Sequence, residues 1–296
     1  MTPRLRGHAA MLTFSALVAG SFSLGSMAAN EISPVALTAA RFMLAACIIG
    51  AAVLATGGMT RAALRAPWRY PLMGGLLVVY FVLMFEGLKT GAPVSMAAVF
   101  TLTPLMSGLF GWLLLRQVTT SRMALALAIG GAGALWVIFR ADLSALLAFE
   151  VGRGEVLFFF GCAAHAFYTP LVRKFNRGET AVVFTFGMLV SGAALLVTYG
   201  WSDIVATDWS ALPHIVWITL FYVSVFASAA TFVLLQFATL HLPSAKVMAY
   251  TYLTPSWVIG WELALGNGVP PALVFVGVGM TFLALALLLR DEEVVH

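Results

Sequence analysis

Charge is what this chain has least of. Of its 296 residues only 9% are Asp, Glu, Lys or Arg, where an ordinary soluble protein has about a quarter. Cysteine is almost missing as well. Cys47 and Cys162 both stand inside apolar runs, so the sequence offers neither a disulfide framework nor a metal-ligand set. It contains no HExxH and no glycine-rich phosphate loop, and its five histidines (His8, His165, His214, His241, His296) are scattered without a paired Asp or Glu. A membrane-embedded enzyme would therefore have no visible nucleophile, metal or phosphate cradle, and no catalytic residue or cofactor is assigned. A channel would need a polar pore lining or a repeated filter sequence, and neither is present. Long soluble connections are lacking too: the longest runs from Arg140 to Gly154 and holds few charges. The net charge of +4 does not speak for nucleic acid, because the basic residues are parcelled out among connections.

What fills the chain is apolar. Hydrophobic residues make up 61% of it, with 22 Phe and 27 Gly, and the mean hydropathy is +0.99. The class is integral membrane, all-α, with the lipid bilayer as a partner. A hydrocarbon core of about 30 Å needs roughly 17 to 25 apolar residues per helix. Ten segments qualify: Ala9–Ala28, Pro34–Thr56, Tyr70–Leu88, Pro93–Leu115, Met123–Phe139, Glu155–Leu171, Ala181–Tyr199, Pro213–Ala238, Ala245–Leu265 and Ala272–Leu289. Pro34, Pro93, Pro213 and Pro271 open or precede four of them, where a missing amide donor costs nothing.

One stretch occurs twice. Tyr80 to Pro104 and Thr231 to Pro255 align without a gap at an offset of 151 residues, sharing Phe-Val-Leu near the start and Leu-Thr-Pro at the end. Each copy holds the end of one apolar segment, a short hinge, and a second segment interrupted by proline. Duplicated, interrupted segments are the sequence mark of transporters built from repeats. The chain thus divides at 1–140 and 141–296 into two units of five segments. A repeat with an odd number of spans inserts its second copy upside down. Gly131-Ala-Gly133 in the fifth segment recurs as Gly277-Val-Gly279 in the tenth, a spacing that lets helices pack closely. Arg4, Arg6 and the small residues Ser26-Met27-Ala28 also fit a cleavable leader, but the segment matching the first one at the head of the second unit favours its retention.

Lysine and arginine give the orientation. With both termini cytoplasmic, Arg4, Arg6, Arg61, Arg65, Arg69, Arg116, Arg122, Arg173, Lys174, Arg177, Lys246 and Arg290 lie inside. Arg41, Lys89, Arg140 and Arg153 lie outside, with Glu31, Asp142, Glu150, Glu155, Asp203 and Asp208.

Candidate site residues follow from depth. Pro104 and Pro255 fall about twelve residues into their helices, near mid-membrane at 1.5 Å per residue. Each removes a donor and frees a carbonyl four residues back, at Phe100 and Thr251, with the Thr103 and Thr254 hydroxyls available to mend the kink. Unpaired backbone at that depth lies against protein or a water-filled cavity. Thr101 and Tyr252 are repeat-equivalent positions three residues before each proline. Tyr80 and Met84 share a face of the third segment. His165, with Tyr168 and Thr169, makes one face of the sixth segment polar and aromatic before Pro170, which is expected to break it. Gln236 is the polar side chain of the eighth. Intramembrane polar groups of this kind are read as functional. Arg41, Glu86 and Glu262 lie within two turns of helix ends, where snorkelling to the headgroups is the default. Glu86 can pair with Lys89, and an Arg41–Glu86 pair would make an outer gate. On this reading no arginine reaches mid-depth, which leaves the ends of a substrate to hydroxyls, amide, imidazole and freed carbonyls. No carboxylate at mid-depth suggests a proton relay.

The chain resembles the ten-helix EamA type of drug/metabolite transporter. The residues carrying the resemblance are Pro34 and Arg41-Phe42 in the second segment, Leu102-Thr103-Pro104 in the fourth and Leu253-Thr254-Pro255 in the ninth. Within that superfamily it looks most like bacterial aromatic amino acid exporters of the YddG type, departing from them at His165, where they tend to carry tryptophan. The resemblance implies a central cavity lined by helices 1, 3, 4, 6, 8 and 9, and alternating access. The expectation is a multi-pass exporter in a bacterial inner membrane, with a monomer as its unit. Its substrate would be a small amphipathic metabolite, a neutral or aromatic amino acid first and a lipophilic cation second.

Overall fold

The computed structural model describes residues 2–59, 63–118, 120–139, 142, 144 and 151–290. Among them every regular element is helical. In chain order they are α1 (Pro3–Ala28), α2 (Pro34–Ala55), α3 (Arg69–Leu88), α4 (Pro93–Phe100), α5 (Thr103–Leu115), α6 (Ser121–Ile138), α7 (Arg153–Phe175), α8 (Ala181–Tyr199), α9 (Trp201–Ala206), α10 (His214–Ser224), α11 (Thr231–His241), α12 (Ser244–Ala249), α13 (Thr254–Ala264) and α14 (Val274–Arg290). A π-helical turn, Val225–Ala230, joins α10 to α11, and a 3-10 turn, Tyr250–Leu253, joins α12 to α13. The boundary expected at residues 140 and 141 lies outside the described residues, as do Arg61, Arg140, Glu150 and His296.

Local chemistry sets the helix starts. Pro34 and Pro93 occupy first positions of α2 and α4, where their fixed backbone angle suits the helix and the missing donor is not needed. The hydroxyls of Thr2, Thr120 and Thr180 cap α1, α6 and α8 by accepting from Leu5, Met123 and Val183 N–H.

Among the described residues, eight helical stretches are long and apolar enough to cross a membrane, with α4–α5 and α10–α11 each counted as one. The remaining two of the ten expected segments are different in kind. One is broken at Tyr250–Leu253, and the other, α14, is a shorter apolar helix of 17 residues. Pro170 does not break its helix: α7 runs through it to Phe175. Neighbours can accommodate a proline inside a buried helix by re-satisfying the freed backbone group.

Packing between the two halves follows an exchange rule. α3 packs on α7 as α10 and α11 pack on α1; α3 packs on α8 as α10 and its π turn pack on α2; α4 and α5 pack on α7 as α13 packs on α1. α2 with α8, α6 with α14, and α4–α5 with α12–α13 are their own counterparts. Glycine permits the tightest of these seams. A Cβ on Gly133 would stand 2.7 Å from the Gly277 carbonyl oxygen, and one on Gly277 would stand 2.7 Å from that of Gly133. Gly131 and Gly279, their partners in sequence, have no such neighbour.

Candidate functional site

The middle of the bundle is aromatic. α3 contributes Tyr80 and Phe81, and α7 contributes Phe158, His165 and Tyr168. Phe22 comes from α1 and Phe100 from the last turn of α4. The Tyr80 and His165 rings lie 4.6 Å apart, His165 stacks on Tyr168 at 6.0 Å, and the Phe100 edge meets His165 at 5.6 Å. Phe158 lies 5.6 Å from Tyr80, and Phe22 closes the group at 5.9 Å from Phe100 and 5.8 Å from Phe158. From α11, the Gln236 side-chain amide donates to the Tyr168 hydroxyl at 2.7 Å, which in turn donates to Met188 Sδ at 3.1 Å. None of these side chains, Met188 included, is more than 2% exposed. Clefts at the surface lie elsewhere. One of about 440 Å³ sits among Glu31, Ser33, Asp203 and Asp208, and an apolar one of about 250 Å³ lies between α4, α6 and α7.

Four expected residues are therefore brought together: Tyr80, His165, Tyr168 and Gln236. Met84, on α3, is wholly buried. The others are placed differently. Thr169 and Thr101 donate their hydroxyls to their own helices, at His165 O and Ala98 O. Tyr252 turns toward α6, where its ring leaves no room for a Cβ on Gly130, and its carbonyl accepts from Thr281. The contact that crosses the two proline breaks is instead Thr103 Oγ1 to Thr251 Oγ1, 3.2 Å.

Both freed carbonyls have local partners. Thr103 Oγ1 donates to Phe100 O at 2.7 Å, and the Thr254 N–H donates to Thr251 O. The kink in the fourth segment is thus mended by a hydroxyl. The kink in the ninth is mended by a tightened backbone turn, and the Thr254 hydroxyl is without a partner.

Arg41 corrects two expectations. It does not snorkel, being 0% exposed, and it does not meet Glu86. Glu86 pairs with Lys89 at 2.7 Å, both part-exposed. Arg41 Nε donates to Ser228 Oγ at 2.5 Å and Nη2 to Ala227 O at 2.5 Å, both on the π turn, and its guanidinium lies 3.6 Å from the Phe81 ring centroid. An arginine is therefore buried within the bundle after all. Tertiary packing hides it: Thr38 and Ala45, which share its face of α2, are small and buried, and the widened turn packs on that helix. A polar group inside a long apolar run was its only sequence signal.

The site also holds polar atoms with nothing to bond. Tyr80 OH, His165 Nδ1 and Arg41 Nη1 are buried without a hydrogen-bond partner, as is Thr231 Oγ1 at the position of α11 equivalent to Tyr80. Such atoms cost about 1–3 kcal/mol each when left unpaired. Flat aromatic walls with polar edges can hold an apolar body by its faces and its substituents by hydrogen bonds.

Comparison with known proteins agrees with the geometry. The model of the EamA-like transporter family matches the chain twice, over residues 5–139 and 152–290. An uncharacterized transporter of Bacillus subtilis (strain 168), YyaM, is 25% identical over 276 residues, covering 90% of both chains. A solved structure superposes with a TM-score of 0.70 at 21% identity, covering 97% of this chain and 96% of the other, and so shares the fold. With most of its length matched, apolar helices enough to cross a bilayer many times, and a buried polar site between them, this chain is a multi-pass membrane transporter and belongs to the EamA-like transporter family.

Proposed function

We propose that the protein exports small amphipathic metabolites, neutral or aromatic amino acids first among them, across a bacterial inner membrane. The observation that carries the reading is the buried group of Tyr80, His165, Tyr168 and Gln236 inside the aromatic walls of Phe22, Phe100 and Phe158, with Tyr80 OH and His165 Nδ1 unpartnered. An aromatic or branched side chain suits the walls, and the free polar atoms suit an amino acid's ends.

In this reading the chain forms ten spans, α12–α13 serving as a broken ninth and α14 as the tenth, arranged as two inverted five-helix repeats with both termini cytoplasmic. The exchange rule in the packing and the double family match support the repeats. Transport proceeds by alternating access: the repeats rock about the matched breaks at Pro104 and Pro255, where the Thr103 and Thr251 hydroxyls touch. A monomer is taken as the working unit. Topology is checked by C-terminal reporter fusion, with fluorescence of a cytoplasm-dependent reporter expected.

Counterflow in proteoliposomes tests the function. Vesicles loaded with unlabelled amino acids are offered labelled phenylalanine, threonine and a lipophilic cation in turn, without an ion gradient. Accumulation of an amino acid is expected. Uptake of the cation alone would replace amino acids by lipophilic cations as the substrate class.

A further inference from the structure

Arg41 is a buried cation without a counter-charge among the described residues. Its partners are a hydroxyl and a carbonyl on the π turn. The ion pairs formed among the described residues are Arg69 with Glu179 and Lys89 with Glu86, and the buried Glu155 accepts from Ser95. Nη1 has no partner at all. A charge held out of water without a partner is expensive, and the fold maintains it with specific devices. The π turn presents Ala227 O and Ser228 Oγ to two nitrogens of the guanidinium, and the Phe81 ring covers its face. Turns of this kind are frequent at functional sites. What these contacts leave open is one donor nitrogen, Nη1, with both of its N–H bonds.

That donor adjoins the aromatic group. Phe81, beneath the guanidinium, meets the Tyr80 ring at 4.5 Å, and Tyr80 lies 4.6 Å from His165. Three buried atoms without partners thus follow one another along α2, α3 and α7: Arg41 Nη1, Tyr80 OH and His165 Nδ1. The first two are donors to an anion, and the third accepts an N–H when its proton sits on Nε2. We propose that Arg41 is the carboxylate anchor of the transport site, with Tyr80 OH as second donor and His165 Nδ1 facing the substrate's nitrogen. The substrate itself supplies the missing counter-charge, so Arg41 selects carboxylates and disfavours cations of the same shape. The inference rests on the transport reading above and narrows its substrate class.

The test is competition in counterflow and thermal shift of the detergent-solubilised protein, using phenylalanine, phenylalaninamide and 3-phenylpropanoate. The wild type is expected to respond to both carboxylates at least about tenfold better than to the amide, because losing one partner of a buried charged contact costs more than a factor of ten. Arg41→Gln is expected to abolish that preference, and Arg41→Lys to retain part of it. Equal response to acid and amide in the wild type, or an undiminished preference in Arg41→Gln, overturns the anchor. So does a wild type that neither takes up nor is stabilised by any carboxylate. If Arg41→Gln fails to fold, the wild-type acid-to-amide ratio still decides. A response to 3-phenylpropanoate without one to any amino acid would keep the anchor and discard the amino acid reading. A response to amino acid and amide alike would do the reverse.

Discussion

His165 occupies the centre of the aromatic group with one nitrogen unbonded, and phenylalanine's somewhat larger ring could take its place without that defect. His165→Phe keeps the stacking on Tyr80 and Tyr168 and removes the orphaned atom, whose burial costs about 1–3 kcal/mol. The expected outcome is a protein equally stable or more so, with counterflow reduced at least about tenfold, the trade-off expected where a strained polar group serves function. Unchanged transport would make His165 a packing residue. Gln236→Leu removes a hydrogen bond that such cycles in membrane proteins value at about 0.6 kcal/mol, so thermal stability should hardly move while substrate response falls. Tyr80, His165, Tyr168 and Gln236 were all legible in the sequence, because a polar side chain deep in an apolar run is conspicuous. Phe22, Phe100 and Phe158 were not, since one phenylalanine among 22 carries no mark of which way it faces. Arg41 was visible but misplaced: snorkelling and burial start from the same residue, and only the neighbouring π turn decides between them.

Among the elements, the α6–α14 seam gives the sharpest contrast. Gly133→Ala and Gly277→Ala put a methyl 2.7 Å from a backbone oxygen on the facing helix, and the helices must separate. Gly279→Ala meets nothing, and Gly131→Ala meets only Leu105 at 3.6 Å. Melting temperature should fall for the first pair and hold or rise for the second, since alanine favours a helix over glycine by about 1 kcal/mol. The G-x-G motifs were plain in the sequence, but each contributes one glycine to the seam, the other being buried beside Leu105 at Gly131 and exposed at Gly279. The helical period, not the motif, chooses which. The proline breaks were equally plain, and their repair was not. A freed carbonyl can be bonded by a hydroxyl or by a tightened turn, and the protein uses one at Phe100 and the other at Thr251.

At the scale of the molecule, Arg69 fastens the start of α3 to the connection between α7 and α8. It pairs with Glu179 at 2.5 Å, both side chains inaccessible, and donates also to the carbonyls of Phe175, Ala66 and Arg65. Burial pushes the Glu179 carboxyl up, but hydrogen bonds from Arg69 and from the Arg177 N–H outweigh it and hold it below its ordinary value of 4.5. A carboxyl lowered in the folded state lends stability that is complete above its unfolded value and lost as pH falls through the folded one. The melting temperature should therefore drop on acidification below about pH 4.5, and the drop should shrink in Glu179→Gln. Arg69→Met, which strands the buried carboxylate, should cost about 3 kcal/mol. Glu179→Gln should cost less, because Arg69 keeps three carbonyl partners.

Composition and segment length made this a helical membrane protein, since apolar runs of about 20 residues fit spanning helices, whereas the strands of a barrel, the other way to satisfy a backbone in lipid, are about half as long. The doubled Leu-Thr-Pro stretch pointed to the transporter class and to the depth of its breaks. Depth along a helix is one coordinate, however, and a site needs three. Rotation about each helix axis decides that Tyr80, His165 and Gln236 converge while Tyr252 turns away to α6. Contacts between helices far apart in the chain decide that Arg41 is buried at the π turn instead of reaching the headgroups. Those orientations arise from packing between residues 68 to 187 apart in the chain, which no local pattern encodes.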